Sequence, residues 1–128
     1  MERVKANSID HVTEKVINRF NETFRLRDVS LLDNLIAEDC IMETAMPAPN
    51  GVKTVGREAC LNFWKGLIEA KTDFAPEEIT IMGEKAIIIW RLRWGTGDEN
   101  SVKGCNLMTV KDGLITEAIG FLKGTLSN

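Results

Sequence analysis

Residues 103–124 read KGCNLMTVKDGLITEAIGFLKG, two runs of alternating apolar and polar residues joined across Asp112-Gly113. Asp-Gly between such runs is typical of a tight two-residue turn, because both turn positions need φ > 0. The stretch therefore predicts a long hairpin near the end of the chain. Because three helical segments precede it, we expect an α+β fold in which a curved antiparallel sheet wraps over helices and leaves a cavity between them.

The composition is typical of one globular domain, which we expect to span residues 1–128. The chain has 128 residues, of which 44% are hydrophobic, and a formal net charge of -3. A chain of this size buries roughly two-thirds of its unfolded surface. It contains no cluster of Lys or Arg that could neutralise a run of phosphates or an anionic membrane. We therefore expect neither nucleic acid nor a membrane surface as a partner.

The N-terminus and the cysteines predict a cytoplasmic protein. Residues 1–6, MERVKA, place charges where a signal peptide needs an apolar core, and the longest uninterrupted apolar run covers only residues 86–90. Cys40, Cys60 and Cys105 are odd in number, far apart and flanked by apolar residues. This usage is typical of reduced thiols in a core rather than of a disulfide framework.

Apolar residues that recur at three- and four-residue steps predict three helices. They cover residues 8–27, a shorter segment from residue 28 or 30 to residue 36, and a segment from residue 57 to residues 71–73. Ser8 caps the first helix, and Asp28 or Ser30 opens the second. The third has the clearest apolar stripe, made by Cys60, Phe63, Trp64, Leu67 and Ile68.

Turn residues divide the remainder of the chain into strands. Residues 41–55 predict a small hairpin whose tip contains Pro47, Pro49 and Asn50-Gly51. After the third helix, Pro76 begins a loop that leads into a strand over residues 79–82, and residues 86–94 form the longest strand. The predicted order is helix, helix, short hairpin, helix and four antiparallel strands.

Three segments in this order carry a resemblance to a known family. They are Asp28 with LLDNLIAEDCIMET (31–44), VGREA (55–59) at the start of the third helix, and GCNLMTVKDGLI (104–115). The chain resembles the ketosteroid isomerase and SnoaL-like branch of the nuclear transport factor 2-like superfamily over nearly its whole length. The resemblance implies a cystatin-like, cone-shaped barrel, with a strongly curved antiparallel sheet over three helices and a ligand pocket at the open end.

The resemblance also gives three positions at which to look for ketosteroid isomerase chemistry. In that enzyme an Asp base removes a proton while a Tyr and a protonated Asp hold the oxyanion. The alignment places the base at Thr44, the Tyr at Phe20 and the protonated acid at Asn106. Thr44 has no basic group at neutral pH and Phe20 cannot donate a hydrogen bond, so we reject ketosteroid isomerase activity itself.

Asn106 and Thr44 are the candidate catalytic residues that remain. The Asn106 amide offers two donors at any pH, and one donor aimed at a carbonyl can be worth about 10²–10³ in rate. A core amide satisfied by neighbouring backbone is an equally good interpretation of Asn106, and Thr44 also fits a strand by propensity alone. Glu43 is the nearest acid, but strand alternation turns it away from the pocket unless a bulge shifts the register.

The pocket is expected to be lined mainly by apolar side chains, with two arginines. Its predicted members are Phe20, Phe24, Met42, Phe63, Trp64, Arg91, Arg93, Met108 and Leu122. Strand alternation places Arg91 and Arg93 on one face and Trp90, Leu92 and Trp94 on the other. The resemblance implies that the arginines point inward, which would suit a carboxylate or phosphate. In the alternative arrangement, Trp90 and Trp94 fill the cavity and the arginines face a partner subunit or solvent.

Glu117 and His11 are two further titratable residues whose positions bear on the site. Glu117 on the last strand could supply an acid near the cone, as the resemblance to SnoaL-like cyclases implies, or remain solvated. His11, the only histidine, is expected at the surface, which argues against a Cys-His or Ser-His-Asp nucleophile and a His-based metal site.

Three hypotheses about function follow. The first is a small homodimer, formed through the convex sheet face, that binds a hydrophobic oxygen-bearing molecule and acts as an isomerase-, cyclase- or hydrolase-like enzyme. The second is a non-catalytic binding module with the same pocket. The third is an interaction protein that uses its outer sheet face and no ligand. None of them requires a metal or another cofactor, and fold analogy alone cannot choose among them.

Overall fold

The computed structural model describes residues 2–124, with side chains described from residue 8 onward. The elements, in chain order, are helix α1 (Glu2–Leu26), a 3₁₀ helix (Val29–Leu32), β1 (Ile36–Glu43), β2 (Lys53–Val55), helix α2 (Arg57–Glu69), β3 (Asp73–Met82), β4 (Lys85–Arg93), a second 3₁₀ helix (Asp98–Asn100), β5 (Ser101–Lys111) and β6 (Leu114–Lys123). The α+β fold with a curled sheet over helices is confirmed.

The late hairpin is β5 and β6, joined as predicted at Asp112-Gly113. Both turn residues have positive φ, 52° and 79°, as a two-residue hairpin turn of this kind requires. Lys111 pairs with Leu114 across the turn, and a bulge between Thr109 and Val110 interrupts the ladder. Bulges increase the local twist of a strand, which favours the curl of the sheet around the helices.

The six strands form one sheet in the order β2-β1-β6-β5-β4-β3. The prediction of a purely antiparallel sheet is wrong at one position, because β1 and β6 are parallel. The sheet is curled but not closed into a barrel, since β2 and β3 are free edges. Turn chemistry predicts hairpins between consecutive strands, but it does not indicate how strands far apart in sequence will pair.

The prediction of a second helix that extends to residue 36 is wrong. Only Val29–Leu32 is helical, as a short 3₁₀ segment capped by the Asp28 carboxylate, which accepts a hydrogen bond from Ser30 N at 3.1 Å. The chain is already extended at Ile36, where β1 begins. Leu32, Leu35 and Ile36 are all buried, and a short run of buried apolar residues does not distinguish a helix from a strand.

Two other element boundaries differ from the predictions. Helix α1 already includes Glu2, so Ser8 lies within the helix rather than at its cap. Pro76 lies inside β3 and not in a loop before it. Because β3 is an edge strand and has a bulge between Pro76 and Glu78, the missing proline N–H interrupts no central ladder.

The core lies between the two helices and the concave face of the sheet. It is one cluster to which α1 contributes Ile17 and Phe20, α2 contributes Trp64, and the sheet contributes strands β1, β4, β5 and β6. Within residues 2–124 neither helix is both long and apolar enough to cross a lipid bilayer.

Candidate functional site

A cavity of about 330 Å³ lies between the helices and the inner sheet face, at the low end of the range of roughly 300–1,000 Å³ typical of small-molecule sites. Its lining is predominantly apolar. The residues with side chains that define its walls are Phe20, Asn21 and Phe24 from α1, Phe63, Trp64 and Leu67 from α2, and Met42, Phe74, Ile88, Trp90, Leu92, Asn106 and Leu122 from the sheet. Met46 and Phe63, each 37% exposed, lie where the cavity reaches the surface.

An aromatic chain joins the helical wall to the sheet wall. The rings of Phe20 and Trp64 lie edge to face at 5.2 Å between centroids, and Phe20 contacts Phe24 at 5.3 Å. Phe24 contacts Phe74 at 6.0 Å, and Phe74 contacts Trp90 at 5.0 Å. Edge-to-face packing at these distances holds aromatic rings in defined positions. The cavity therefore has a preorganised apolar wall.

Asn106 is the polar residue on the sheet wall. It shares the inner face of β5 with Gly104 and Met108, two residues away on either side, and its neighbours across the ladder are Ile88 and Gly120. Trp90 Nε1 donates a hydrogen bond to Asn106 Oδ1 at 3.1 Å. An indole N–H can only donate, so this bond fixes which end of the amide is the oxygen. The Asn106 NH₂ group makes no hydrogen bond to the described part of the chain and is available to a ligand.

Two glycines keep this arrangement in place. A Cβ on Gly104 would lie 2.4 Å from Cη2 of Trp90, so the indole ring packs directly on the backbone of β5. A Cβ on Gly120 would lie 3.4 Å from Asn106 Oδ1 and 3.3 Å from Ala45 N. The absence of a side chain at Gly120 leaves the space beside the amide open.

A second amide, Asn21, lines the cavity from α1. Its Nδ2 atom is buried and has no hydrogen-bond partner among the described residues. Sequence analysis missed this residue because it lies at the edge of the apolar stripe of the helix, where an asparagine is usually solvated. Its neighbours Phe20 and Phe24, already considered as pocket residues, were the available signal.

Thr44 lies at the cavity wall, but its hydroxyl is used locally. Thr44 Oγ1 donates to the Met46 carbonyl at 2.5 Å and accepts from Val52 N at 2.9 Å. These bonds close the loop between β1 and β2. Thr44 thus organises the loop, and its hydroxyl has neither a neighbouring base nor a free proton for chemistry.

Glu43 is the one residue with a titratable side chain among the described residues that line the cavity. It pairs with Ile119 of β6 and alternates with the inward-facing Met42. This register turns its side chain toward the outer face, as strand alternation predicts, while its carbonyl lies close to Gly120.

Arg91 and Arg93 do not line the cavity, which corrects their predicted placement. Both lie on the outer face of β4, because the side chains that alternate with them, Trp90 and Leu92, point inward. Arg91 Nε donates to Glu77 Oε2 at 2.9 Å and Arg91 Nη1 to Ser101 Oγ at 2.8 Å. The hydrogen bond from Arg91 lowers the pKa of Glu77.

Arg93 lies 3.5 Å from Asp98, measured from Nη1 to Oδ1. The alternative to inward-pointing arginines was a cavity filled by Trp90 and Trp94. Trp90 lines the cavity, whereas the side chain of Trp94 is 57% exposed and lies outside it.

Two other candidate positions, Met108 and Glu117, do not line the cavity, and His11 lies at the surface as predicted. Met108 is fully buried in the core and does not line the cavity. Glu117 faces outward, where its Oε1 accepts from Thr109 Oγ1 at 3.2 Å and lies 3.8 Å from Lys85 Nζ. His11 is exposed on α1. Among the described residues, no group of three or more His, Cys, Asp or Glu side chains could hold a metal ion.

The three cysteines are free thiols, and burial makes each of them less acidic than an exposed thiol. Burial raises the pKa of the Cys40 thiol from 9.0 to about 12, and the neighbouring Cys60 adds to the shift. Burial also raises the pKa of Cys60 and Cys105. Because the thiolate is the nucleophilic form, none of the three has the environment of a reactive cysteine.

Comparison with known proteins places this fold and cavity in a family. A model of the SnoaL-like domain matches residues 17–118. An NTF2-like protein of unknown function from Mesorhizobium loti is similar in structure, with 42% sequence identity, a TM-score of 0.84, and coverage of 90% of this chain and 93% of its own. No significant match was found among curated proteins.

More distant structures share the fold. A protein from Kribbella flavida, provisionally named a ketosteroid isomerase, has 18% identity and a TM-score of 0.73 over 92% of this chain and 82% of its own. A protein from Jannaschia, provisionally named a SnoaL-like polyketide cyclase, has 17% identity and a TM-score of 0.71 over 90% of this chain and 88% of its own. The class that the fold defines is that of NTF2-like α+β proteins. Within it, the chain belongs to the SnoaL-like domain family.

Proposed function

We propose that this protein binds a small, uncharged, hydrophobic molecule in the cone cavity, and that the Asn106 amide donates a hydrogen bond to a carbonyl or hydroxyl oxygen of that molecule. The observation that carries the proposal is the bond from Trp90 Nε1 to Asn106 Oδ1, which leaves the NH₂ group as the free end of the amide. A donor held in an apolar cavity is the usual way for such sites to orient a polar ligand atom.

The charges around the cavity support an uncharged ligand. Arg91 and Arg93, the cations that would compensate a carboxylate, lie on the outer face and contact Glu77 and Asp98. The described residues that line the cavity include no cation that could pair with a buried carboxylate, and burying an unpaired charge is far more costly than burying a carbonyl. The cavity thus favours a ketone or phenol over an acid of the same size.

Binding without proton transfer is the best-supported activity. General acid–base catalysis needs a titratable group within hydrogen-bond reach of the reacting atoms. In the described lining only Glu43 is titratable, and the strand register turns its side chain outward. The names of the related proteins include an isomerase and a polyketide cyclase, so an enzymatic function of that class remains the second candidate. It would have to act through Glu43.

The test compares two bicyclic probes of similar size, 1-tetralone and 1-naphthoate, by isothermal titration calorimetry. We expect 1-tetralone to bind and 1-naphthoate to bind much more weakly or not at all. Asn106→Leu should weaken 1-tetralone binding by roughly 3- to 10-fold, the value of one net hydrogen bond. Trp90→Phe should also weaken it, because the amide is then free to rotate.

Two outcomes would contradict the proposal. Preferential binding of 1-naphthoate would show that a cation reaches the cavity. Unchanged 1-tetralone affinity in Asn106→Leu would remove Asn106 from the site. Glu43→Gln separates binding from catalysis. We expect this variant to bind 1-tetralone with unchanged affinity. If Glu43 were catalytic, the variant would lose turnover of a true substrate.

A further inference from the structure

Asn21 is half-buried, and its amide nitrogen differs from the hydroxyl groups of the two buried polar residues of α1, Thr13 and Thr23. Thr13 Oγ1 donates to the Gly83 carbonyl at 2.6 Å, and Thr23 Oγ1 donates to the Arg19 carbonyl at 3.0 Å. Asn21 Nδ2 is buried and has no partner within the described part of the chain. A buried donor without an acceptor loses its hydration and gains nothing in return. Native structures contain few such groups, so the unpaired donor of Asn21 calls for an explanation.

The position of Asn21 identifies where an acceptor would have to be. Asn21 lies on the helical wall of the cavity beside Phe20 and Phe24, whereas Asn106 lies on the sheet wall. On the cavity side, Asn21 lies beside Phe20 and Phe24, whose rings offer no strong acceptor. On its other side, Asn21 borders a surface groove that contains Glu22 and Asp73, but neither carboxylate is a hydrogen-bond partner of Nδ2. The cavity therefore has one amide donor on its helical wall and one on its sheet wall, with an apolar surface between them.

We infer that Asn21 is a specificity-determining residue that donates a hydrogen bond to a second oxygen of the ligand, while Asn106 binds the first. The inference rests on the proposed function and restricts the class of ligand that the cavity binds. The ligand class is an uncharged, mainly apolar molecule with two oxygen functions, one at each end. A molecule with a single oxygen would satisfy Asn106 and leave the Asn21 donor unpaired.

The experiment compares 1-tetralone, which has one oxygen, with 6-hydroxy-1-tetralone, which has a second oxygen at the opposite end. Calorimetric titrations use the wild-type chain, Asn21→Leu and the control Asn18→Leu. Asn18 is exposed, lies one turn before Asn21 and does not line this cavity. We expect the wild type to bind 6-hydroxy-1-tetralone roughly 3- to 10-fold more tightly than 1-tetralone. Asn21→Leu should abolish that difference, and Asn18→Leu should retain it.

A second measurement needs no ligand. Leu has nearly the shape of Asn and removes the unpaired donor, so the unliganded Asn21→Leu variant should unfold at the same urea concentration as the wild type or at a higher one. A lower urea midpoint, together with a retained difference between the two probes, would assign the amide to the structure and overturn the inference.

The probes separate failure of this inference from failure of the proposed function. If the wild type binds both probes equally, the role of Asn21 is overturned while binding at Asn106 stands. If the wild type binds neither probe, the proposed function is overturned, and the inference that rests on it is overturned as well.

Discussion

A tryptophan N–H can only donate, and this property of one residue orients the polar side of the cavity. Trp90 donates to Asn106 Oδ1, so the amide presents its NH₂ group rather than its oxygen to the cavity. The indole ring is held in this position because it packs against the backbone of Gly104. The donor is therefore positioned before any ligand arrives, which reduces the entropy lost on binding.

Cys40 gives the residue-scale prediction about pH. Burial raises the pKa of its thiol from 9.0 to about 12, so the folded chain resists ionisation where the unfolded chain does not. The stability that the neutral thiol contributes is fully present below the unfolded pKa of 9.0 and is lost as the pH rises toward about 12. We expect the free energy of unfolding, measured in urea, to fall from about pH 8 to about pH 10.5.

The matched variant for this prediction is Cys40→Ala, which removes the thiol. Other groups titrate in the same range, so the informative quantity is the difference between the two pH profiles. We expect a shallower loss of stability with pH in Cys40→Ala. Parallel profiles for the variant and the wild type would show that the Cys40 thiol ionises equally in both states.

At the scale of elements, helix α2 divides its aromatic residues between two tasks. Trp64 is 3% exposed and packs in the core against Phe20. Phe63, next to it in sequence, is 37% exposed at the edge of the cavity. The apolar stripe of this helix predicted burial of both residues, and both were also predicted to line the pocket. Both line the cavity, but only Trp64 is buried. Trp64 thus both supports the core and lines the cavity, whereas Phe63 lines only the exposed edge of the cavity.

This division predicts different effects for two alanine substitutions. Trp64→Ala should lower the free energy of unfolding by roughly 3–5 kcal/mol, as for buried aromatic residues generally. Phe63→Ala should lower it by only about 1 kcal/mol, but should weaken 1-tetralone binding because the ring lines the cavity. Urea unfolding and calorimetric titration of both variants provide the measurement. Equal losses of stability would mean that Phe63 belongs to the core.

At the scale of the whole molecule, the outer face of the sheet is apolar at its centre. Adjacent strands place Ile87, Leu107 and Ile119 side by side, and the next row contains Ile89, Cys105 and Phe121. Phe121 is 51% exposed in the single chain. A contiguous apolar patch on the surface of a single chain is typical of an interaction surface, because the apolar face of a sheet is usually covered by another layer.

We propose that a second copy of the chain covers this outer face and forms a homodimer. Sedimentation velocity at micromolar concentration should give a mass twice the 14.3 kDa of one chain. Phe121→Lys should give a monomer, because a charge at the centre of the interface would lose its hydration without a partner. Val52→Lys is the control, since Val52 is equally exposed, at 52%, but lies in the loop between β1 and β2. A monomeric wild type would contradict the proposal.

Local chemistry in the sequence was enough to predict the hairpin at Asp112-Gly113, the two long helices and the family resemblance, because turn residues and apolar periodicity act over a few neighbouring residues. It also placed Phe20, Met42 and Asn106 on elements that border the cavity. Alternation along β4 separated the arginines from Trp90 and Leu92, but a period of two is the same whichever face is buried. The choice between the faces is made by the helices that pack on one side of the sheet.

The same physical reason explains the parallel pairing of β1 with β6 and the position of Asn21 at the cavity wall. Both depend on contacts between segments far apart in the chain, and neither leaves a periodic signal in the residues themselves. The sequence by itself determined the two long helices, the late hairpin, the part of the apolar lining made by Phe20, Phe24, Met42, Phe63, Trp64 and Leu122, and the amide at position 106. Only the tertiary structure decided that the cavity contains Trp90 instead of the arginines, and that a second amide, Asn21, faces it from the helix.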